Sequence, residues 1–276
     1  MVAQILCIGQ SDSSGVTGIQ ADIKTAQAFG GYAATVLTAV SARNTQNYND
    51  VMMLPPDLIR DQFKTVMEDL SPSVIKIGFL GSVSVIELVS SLVEPAVARG
   101  VKIVVDPVMK SRGGKIILGK EEQDALKRSL IVQADVLVPN VSEAEALTGM
   151  TVRDIDDMRH VSRMLLTLGP KAVVLRGGDF SSGSESIVDI LAEDEKASPC
   201  QSDRIADKEK CDGEGATMTT ALAVCLAQGH SLSDSYARAR AYVNRAVLTS
   251  EAVGHGYIPL NHRVCADDGM AASAVA

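Results

Sequence analysis

Short apolar runs recur along the chain, each followed by a stretch of helical spacing, and this alternation constrains the fold more than any other feature. The runs are QILCIG (4–9), YAATVLTAV (32–40), VIKIGFLG (74–81), VKIVVDPV (101–108), DVLVPN (135–140) and KAVVLRGG (171–178). A strand with one wet face alternates apolar and polar residues, whereas a strand covered on both faces is apolar throughout. Between the runs lie VTGIQADIKTAQAFG (16–30), with Ile19, Ile23 and Ala26 at helical spacing before a glycine stop, and PPDLIRDQFKTVMEDL (55–70), opened by prolines. The spacing predicts further helices over 83–98, 120–131, 142–148, 154–168, 214–228 and 231–248. The expected class is therefore α/β: a doubly wound, mainly parallel sheet with helices on both faces, a three-layer sandwich.

The alternation breaks over 179–210, where SIVDILA (186–192) and the region around 197–205 read as a hairpin near the sheet edge. No Pro/Gly/Ser linker and no internal repeat divides the chain, so a single domain over 1–265 is expected. The small, weakly patterned ADDGMAASAVA (266–276) is expected to be a disordered tail.

Charge and cysteine content exclude several function classes. A formal charge of −8, with no basic cluster interleaved with aromatics, argues against nonspecific nucleic-acid binding. Cys7, Cys200, Cys211, Cys225 and Cys265 are odd in number and contain no C-x-x-C pair, which points to reduced thiols rather than a disulfide framework or a zinc site. No uninterrupted apolar window reaches membrane-spanning length, and MVAQILCIGQSDSSG lacks the parts of a secretory signal. The expectation is a soluble, cytoplasmic protein with neither a membrane nor a nucleic acid as partner.

In open parallel sheets ligands bind beyond the carboxyl ends of the strands, so the residues following each run are the candidates. They are GQSDSSG (9–15), SARNT (41–45), GFLG (78–81), DPVMKSRGG (106–114), PNVSEAE (139–145), RGGDF (176–180) and CDGEGAT (211–217). Gly213 and Gly215 precede a predicted helix, whose free N–H groups and positive dipole end suit an anion; a glycine-containing capping turn is the alternative. The Gly-Lys-Ser/Thr ending of a Walker loop is absent. Asp12, with Ser11, Ser13 and Ser14, suits either a helix cap or a ligand contact. Asn140 and Glu143 suit either an ordinary capping box or the ordering of Mg²⁺-bound water and phosphate. Arg112 and Arg176 suit phosphate neutralisation or plain surface charge, His255 between two glycines is a weak catalytic candidate, and Phe79 and Met109 are core residues by default.

Several ordered stretches together resemble one family. GQSDSSGVTGIQADIKT (9–25), TAVSARNT (38–45), IKIGFL (75–80), VVDPVM (104–109), VPNVSEAEALTG (138–149), VVLRGG (173–178), GEGATMTTALA (213–223) and VGHGYIPLNH (253–262) are similar to hydroxymethylpyrimidine/phosphomethylpyrimidine kinases of the ribokinase-like superfamily. The resemblance implies ATP- and Mg²⁺-dependent transfer of a γ-phosphoryl group to 4-amino-5-hydroxymethyl-2-methylpyrimidine and then to its monophosphate, in thiamine biosynthesis. A kinase of another hydroxymethyl heterocycle, such as a pyridoxal-type vitamer, and a catalytically impaired ligand-binding paralogue are the alternatives. Carried over residue by residue, it implies an anion hole from Gly213, Glu214, Gly215 and Ala216, and a substrate pocket from Asp12, Thr17, Gly18, Ser41, Arg43, Phe79 and Val108. Arg112, Asn140, Arg176, Gly178 and Thr217 would meet ATP, and Glu143 the metal through water. Enzymes of this kind are often homodimers, so a homodimer is expected.

The pattern is departed from at several positions. Ala216 stands where the family has cysteine and the wider superfamily an aspartate base. General-base assistance is commonly worth ~10²–10⁴-fold, so a methyl group there implies slow transfer. Arg43 stands where the family has a glutamine that pairs with the aminopyrimidine, and a guanidinium only donates. An Arg43 that points into the pocket predicts a preference for a carbonyl or anionic substituent. Val16 and Thr17 replace Gly-Ala, Phe79 replaces a common methionine, and Arg112 and Arg176 stand where lysine is usual.

Overall fold

A computed structural model of the chain describes residues 2–109, 117–178, 186–194, 196–205 and 210–266. Nine strands form one sheet in the order β3-β2-β1-β4-β5-β6-β7-β8-β9. β1 (Gln4–Asp12), β2 (Tyr32–Arg43), β4 (Val74–Ile77), β5 (Lys102–Val105), β6 (Val136–Leu137) and β7 (Ala172–Leu175) run parallel. β3 (Tyr48–Met53) closes one edge antiparallel, and the hairpin of β8 (Ser186–Glu193) and β9 (Lys196–Asp203) closes the other. A two-stranded parallel pair, β10 (Cys211–Asp212) and β11 (Ile258–Pro259), sits apart from the main sheet.

The unbroken apolar runs are explained by two cores, one on each face. Alternate residues Leu6, Ile8, Ile75, Ile77, Ile103, Val105 and Leu137 face α2 (Pro56–Asp69), α3 (Val83–Val97), α4 (Lys120–Ala125), α5 (Val141–Thr148) and α6 (Ile155–Leu166). Their neighbours Ile5, Cys7, Val74, Val104 and Val136 face α1 (Gly18–Ala28), α7 (Glu214–Ala227) and α8 (Leu232–Leu248). Neither face of these strands meets water, so no polar alternation is required.

Three sequence expectations are corrected. β2 runs on to Arg43 and pairs with β3 (Arg43 opposite Tyr48), so Ser41 and Arg43 are strand residues rather than part of a loop. β3 itself carries exposed Asn49 and Asp50 and an exposed Met52, the composition of an edge strand that periodicity does not reveal. The predicted helix over 120–131 is α-helical only through Ala125, then widens to a π turn over Leu126–Leu130 and tightens to a 3₁₀ turn over Ile131–Gln133. Most of the expected tail, 267–276, lies outside the described residues, but Ala266 is buried and its N–H donates to the Ala28 carbonyl.

The chain lays down β1, β2 and β3 toward one edge, then returns to place β4 on the other side of β1. This reversal opens a crevice at the carboxyl ends of β1 and β4, where doubly wound sheets hold their ligands.

Candidate active site

A cavity of about 560 Å³ occupies that crevice. Its floor is Gly9, Gln10, Gly78 and Phe79, from the ends of β1 and β4. One end is walled by Thr17, Arg43, Tyr48, Val108 and Asp212, and the other by Asp106, Asn140, Glu143, Arg176, Gly178 and Arg240. Gly213, Glu214, Gly215 and Ala216 also line it.

The 213–216 segment is built as an anion hole. Gly213 caps α7 with φ +101°, and a Cβ there would collide with the Val16 carbonyl oxygen, so only glycine fits. The first intrahelical bond runs from the Thr217 N–H to the Gly213 carbonyl. The amides of 214–216 therefore precede the helix's own bonding, at the cavity wall and at the positive end of the helix dipole. Arg176 stands over this loop: a Cβ on Gly215 would lie 3.0 Å from its guanidinium nitrogens. Among the described residues the buried Arg176 Nε has no hydrogen-bond partner, and its Nη2 lies 3.9 Å from both Asp106 and Glu143.

Asn140 and Glu143 do form a capping box at the start of α5: the Glu143 N–H donates to Asn140 Oδ1 and the Asn140 N–H to Glu143 Oε2, each at 2.9 Å. The Met109 N–H reaches Glu143 Oε1 at 3.4 Å. Both box residues also line the cavity, so the structural and ligand-directed readings coexist. Burial, reinforced by the neighbouring Asp106 carboxylate, pushes the Glu143 carboxyl up to about 7.

At the opposite end Arg43 is not a free cation. Its Nη1 donates to Thr17 Oγ1 at 2.9 Å and approaches Asp12 Oδ2 at 3.3 Å, and its Nη2 pairs with Asp212 Oδ2. Asp12 is fully buried and gathers the Ser14 N–H and hydroxyl and the Thr17 N–H and hydroxyl. Burial alone would raise its carboxyl, but these bonds and the Arg43 charge hold it below the usual carboxylate range.

Not every residue marked out by the resemblance reaches the cavity. Asp12 sits behind the wall as an organiser of the 12–17 turn, and the Ser41 hydroxyl turns back to the Ser11 carbonyl at 3.0 Å. Thr217 is fully buried and bonds His262 Nε2 at 2.9 Å, on the far side of α7's first turn. Thr17, Gly18, Arg43, Phe79 and Val108 line the cavity, as do Asn140, Glu143, Arg176 and Gly178. Arg112 lies outside the described residues. His255 is exposed and does not line the cavity.

Among the residues that sequence reasoning missed are Asp22, Lys76 and Arg240, which line the cavity, and Asp189, which holds Arg240 from outside the lining. Lys76 lies in the wholly buried and otherwise apolar strand β4 and lines the cavity floor, with Nζ 3.0 Å from both Asp22 oxygens. Burial would lower its pKa, but Asp22 and Asp106 outweigh that and raise it. A lysine inside an apolar strand was the available signal. Arg240, on the buried face of α8 with Tyr236 and Val243, pairs with fully buried Asp189, which also accepts the Tyr236 hydroxyl and the Gly177 N–H, each at 2.9 Å. Asp189 thereby fixes the backbone beside Gly178, a placement that only the folded hairpin reveals.

With this geometry in view, the comparisons decide the family. The sequence matches the family model described as phosphomethylpyrimidine kinase over residues 12–261. The chain belongs to the phosphomethylpyrimidine kinase family. Among curated relatives, the hydroxymethylpyrimidine/phosphomethylpyrimidine kinase of Bacillus subtilis is 34% identical over 95% of both chains. The thiamine biosynthesis bifunctional protein ThiED of Geobacter sulfurreducens is 37% identical over 96% of this chain, which spans only 53% of that protein's length. Two solved structures are close in fold: an ADP complex of Bacillus subtilis pyridoxal kinase (TM-score 0.87, 31% identity, 96% of this chain and 98% of the other) and the phosphomethylpyrimidine kinase of Clostridium difficile (TM-score 0.78, 34% identity, 88% and 99%). The three-layer sandwich is thus the ribokinase-like fold of this kinase family. Among the described residues no helix is long and apolar enough to cross a membrane.

Proposed function

We propose that this chain transfers the γ-phosphoryl group of ATP to the hydroxymethyl oxygen of 4-amino-5-hydroxymethyl-2-methylpyrimidine and then to the resulting monophosphate, as a single-domain enzyme of thiamine biosynthesis. The observation that carries this is one cavity with the amides of 214–216 on its wall, Arg176 over Gly215, and the Asn140–Glu143 box beside them. The transferring group has a loose, highly charged transition state that asks for positioning and electrostatics more than covalent help. As the new O–P bond forms and the bond to the departing diphosphate breaks, the helix amides and Arg176 hold the shared negative charge.

Asp106 and Glu143 fit a Mg²⁺ ion. Two buried carboxylates share one arginine at 3.9 Å each, which leaves excess negative charge, and Mg²⁺ is commonly held by one or two carboxylates together with substrate phosphates. When bound, the ion neutralises charge on the phosphate oxygens. The acceptor's proton has no side-chain base at Ala216, so it departs to water or to the phosphate itself, and transfer is slow. By its kinship we also take the enzyme to be a cytoplasmic homodimer.

The second reading, a pyridoxal-type kinase, is favoured by the high TM-score to pyridoxal kinase. An ATP-consumption assay against the hydroxymethylpyrimidine, its monophosphate and pyridoxal separates the two. Turnover of pyridoxal alone selects the second reading, and binding of a pyrimidine without any turnover selects a ligand-binding paralogue.

A further inference from the structure

We propose that Arg43 and Asp212 act as one specificity-determining pair, Asp212 accepting from the substrate's amino group while Arg43 donates to the adjacent ring nitrogen. The inference rests on the pyrimidine reading of this site. The two residues come from the ends of β2 and β10, meet in an ion pair and both line the cavity, with side chains only 12% and 10% exposed. Arg43 spends Nη1 on Thr17 and Asp12 and one Nη2 hydrogen on Asp212. Among the described residues its Nε–H and second Nη2 hydrogen have no hydrogen-bond partner, so donors remain for a ligand. Asp212 receives the Gly213 N–H on Oδ1 at 2.8 Å and Arg43 on Oδ2, which leaves a lone-pair direction on each oxygen.

Charge balance decides what such a pair selects. A lone guanidinium would recruit an anion or a carbonyl. Here one guanidinium faces two carboxylates, Asp12 and Asp212, so this end of the cavity carries no surplus positive charge. An anionic substituent would meet Asp212, whereas a neutral edge with an N–H donor beside an acceptor nitrogen satisfies both partners at once. A 4-aminopyrimidine presents that edge. The pyridoxal ring, with no amino group beside its ring nitrogen, does not. The preference that the sequence suggests for Arg43 alone is thereby reversed by its partner.

The test is the affinity of the full chain, by calorimetry, for 4-amino-5-hydroxymethyl-2-methylpyrimidine and for the analogue lacking the amino group. Hydrogen bonds to charged groups imply a preference of about tenfold or more for the amino compound. Asp212→Asn is isosteric: with Oδ1 kept on the Gly213 N–H, its nitrogen replaces the acceptor Oδ2 and presents a donor. The preference is expected to fall below about threefold. Arg43→Gln, with Asp212 intact, is expected to weaken both pyrimidines together and keep the preference. Retention of the full preference in Asp212→Asn overturns the pair while the kinase reading stands. Wild-type protein that binds pyridoxal and neither pyrimidine overturns both.

Discussion

Gly213 and Gly215 are two residues apart and serve the loop for different reasons, which substitution should separate. At Gly213 the backbone sits at φ +101° and a Cβ would strike the Val16 carbonyl, a rigid neighbour. Gly213→Ala should therefore destabilise the fold, by roughly 1–3 kcal/mol, read as a lower urea midpoint. At Gly215 φ is ordinary and a Cβ would meet only the mobile end of Arg176 at 3.0 Å. Gly215→Ala should keep wild-type stability and instead raise the KM for ATP and lower kcat, as the displaced guanidinium no longer faces the loop. Ala216 is the complementary case, a wall position with nothing to accept a proton. Ala216→Cys or Ala216→Asp should raise kcat, by up to about 10²-fold, in single-turnover assays with the hydroxymethylpyrimidine. No gain in either variant would mean that the acceptor oxygen is not held beside residue 216.

At the level of elements, the anion helix is tied into the sheet by a buried polar contact. Asp22 of α1 holds Lys76 of β4 through both oxygens and accepts the Thr220 hydroxyl of α7 at 2.7 Å, with all three side chains buried. Lys76→Met would leave a buried carboxylate without its cation, a loss of about 3–5 kcal/mol. Lys76→Met with Asp22→Asn removes both charges and should recover most of that loss in chemical unfolding. A double variant as unstable as the single one would show that the ion pair itself, rather than the orphaned charge, supplies the stability. The same elements show what the sequence reveals and what it hides. Apolar runs buried on both faces marked β1, β4, β5 and β7, and the helix boundaries of α3, α5 and α8 followed from their spacing, because burial writes a periodic pattern. β3 stayed hidden because the adjacent Asn49 and Asp50 and the exposed Met52 break the two-residue alternation that would mark a strand with one buried face. Arg43 was legible as a departure, but its partner lies 169 residues away, and no local pattern announces a contact of that range.

At the scale of the whole molecule, the segment after α8 returns to brace the helix that carries the anion hole. His262 shares a hydrogen bond with Thr217 in the first turn of α7, and the Tyr242 hydroxyl donates to the His262 carbonyl at 3.4 Å. Burial, with the nearby Lys24 charge, lowers the imidazole from 6.5 to about 4. The folded protein thus holds a neutral ring where the unfolded chain would take up a proton. Above about pH 7 both states are neutral and the group does not make stability depend on pH. As pH falls below 6.5, only the unfolded state gains the proton, so stability is lost progressively until pH reaches the folded value near 4. Between pH 7 and pH 5 the loss should be at most about 2 kcal/mol. Urea unfolding at the two pH values measures it, and His262→Gln, which cannot titrate, should show a smaller drop by that amount. Because the ring bonds to Thr217 at the base of the anion hole, its protonation should also reach the site. In the folded protein the ring stays neutral until pH nears 4, so kcat of wild type and His262→Gln should follow one profile between pH 7 and pH 5 and part only as pH approaches 4, where the wild type should fall further. Profiles that stay identical down to pH 4 would place the pH sensitivity of the site with other groups and leave His262 a brace for the fold alone.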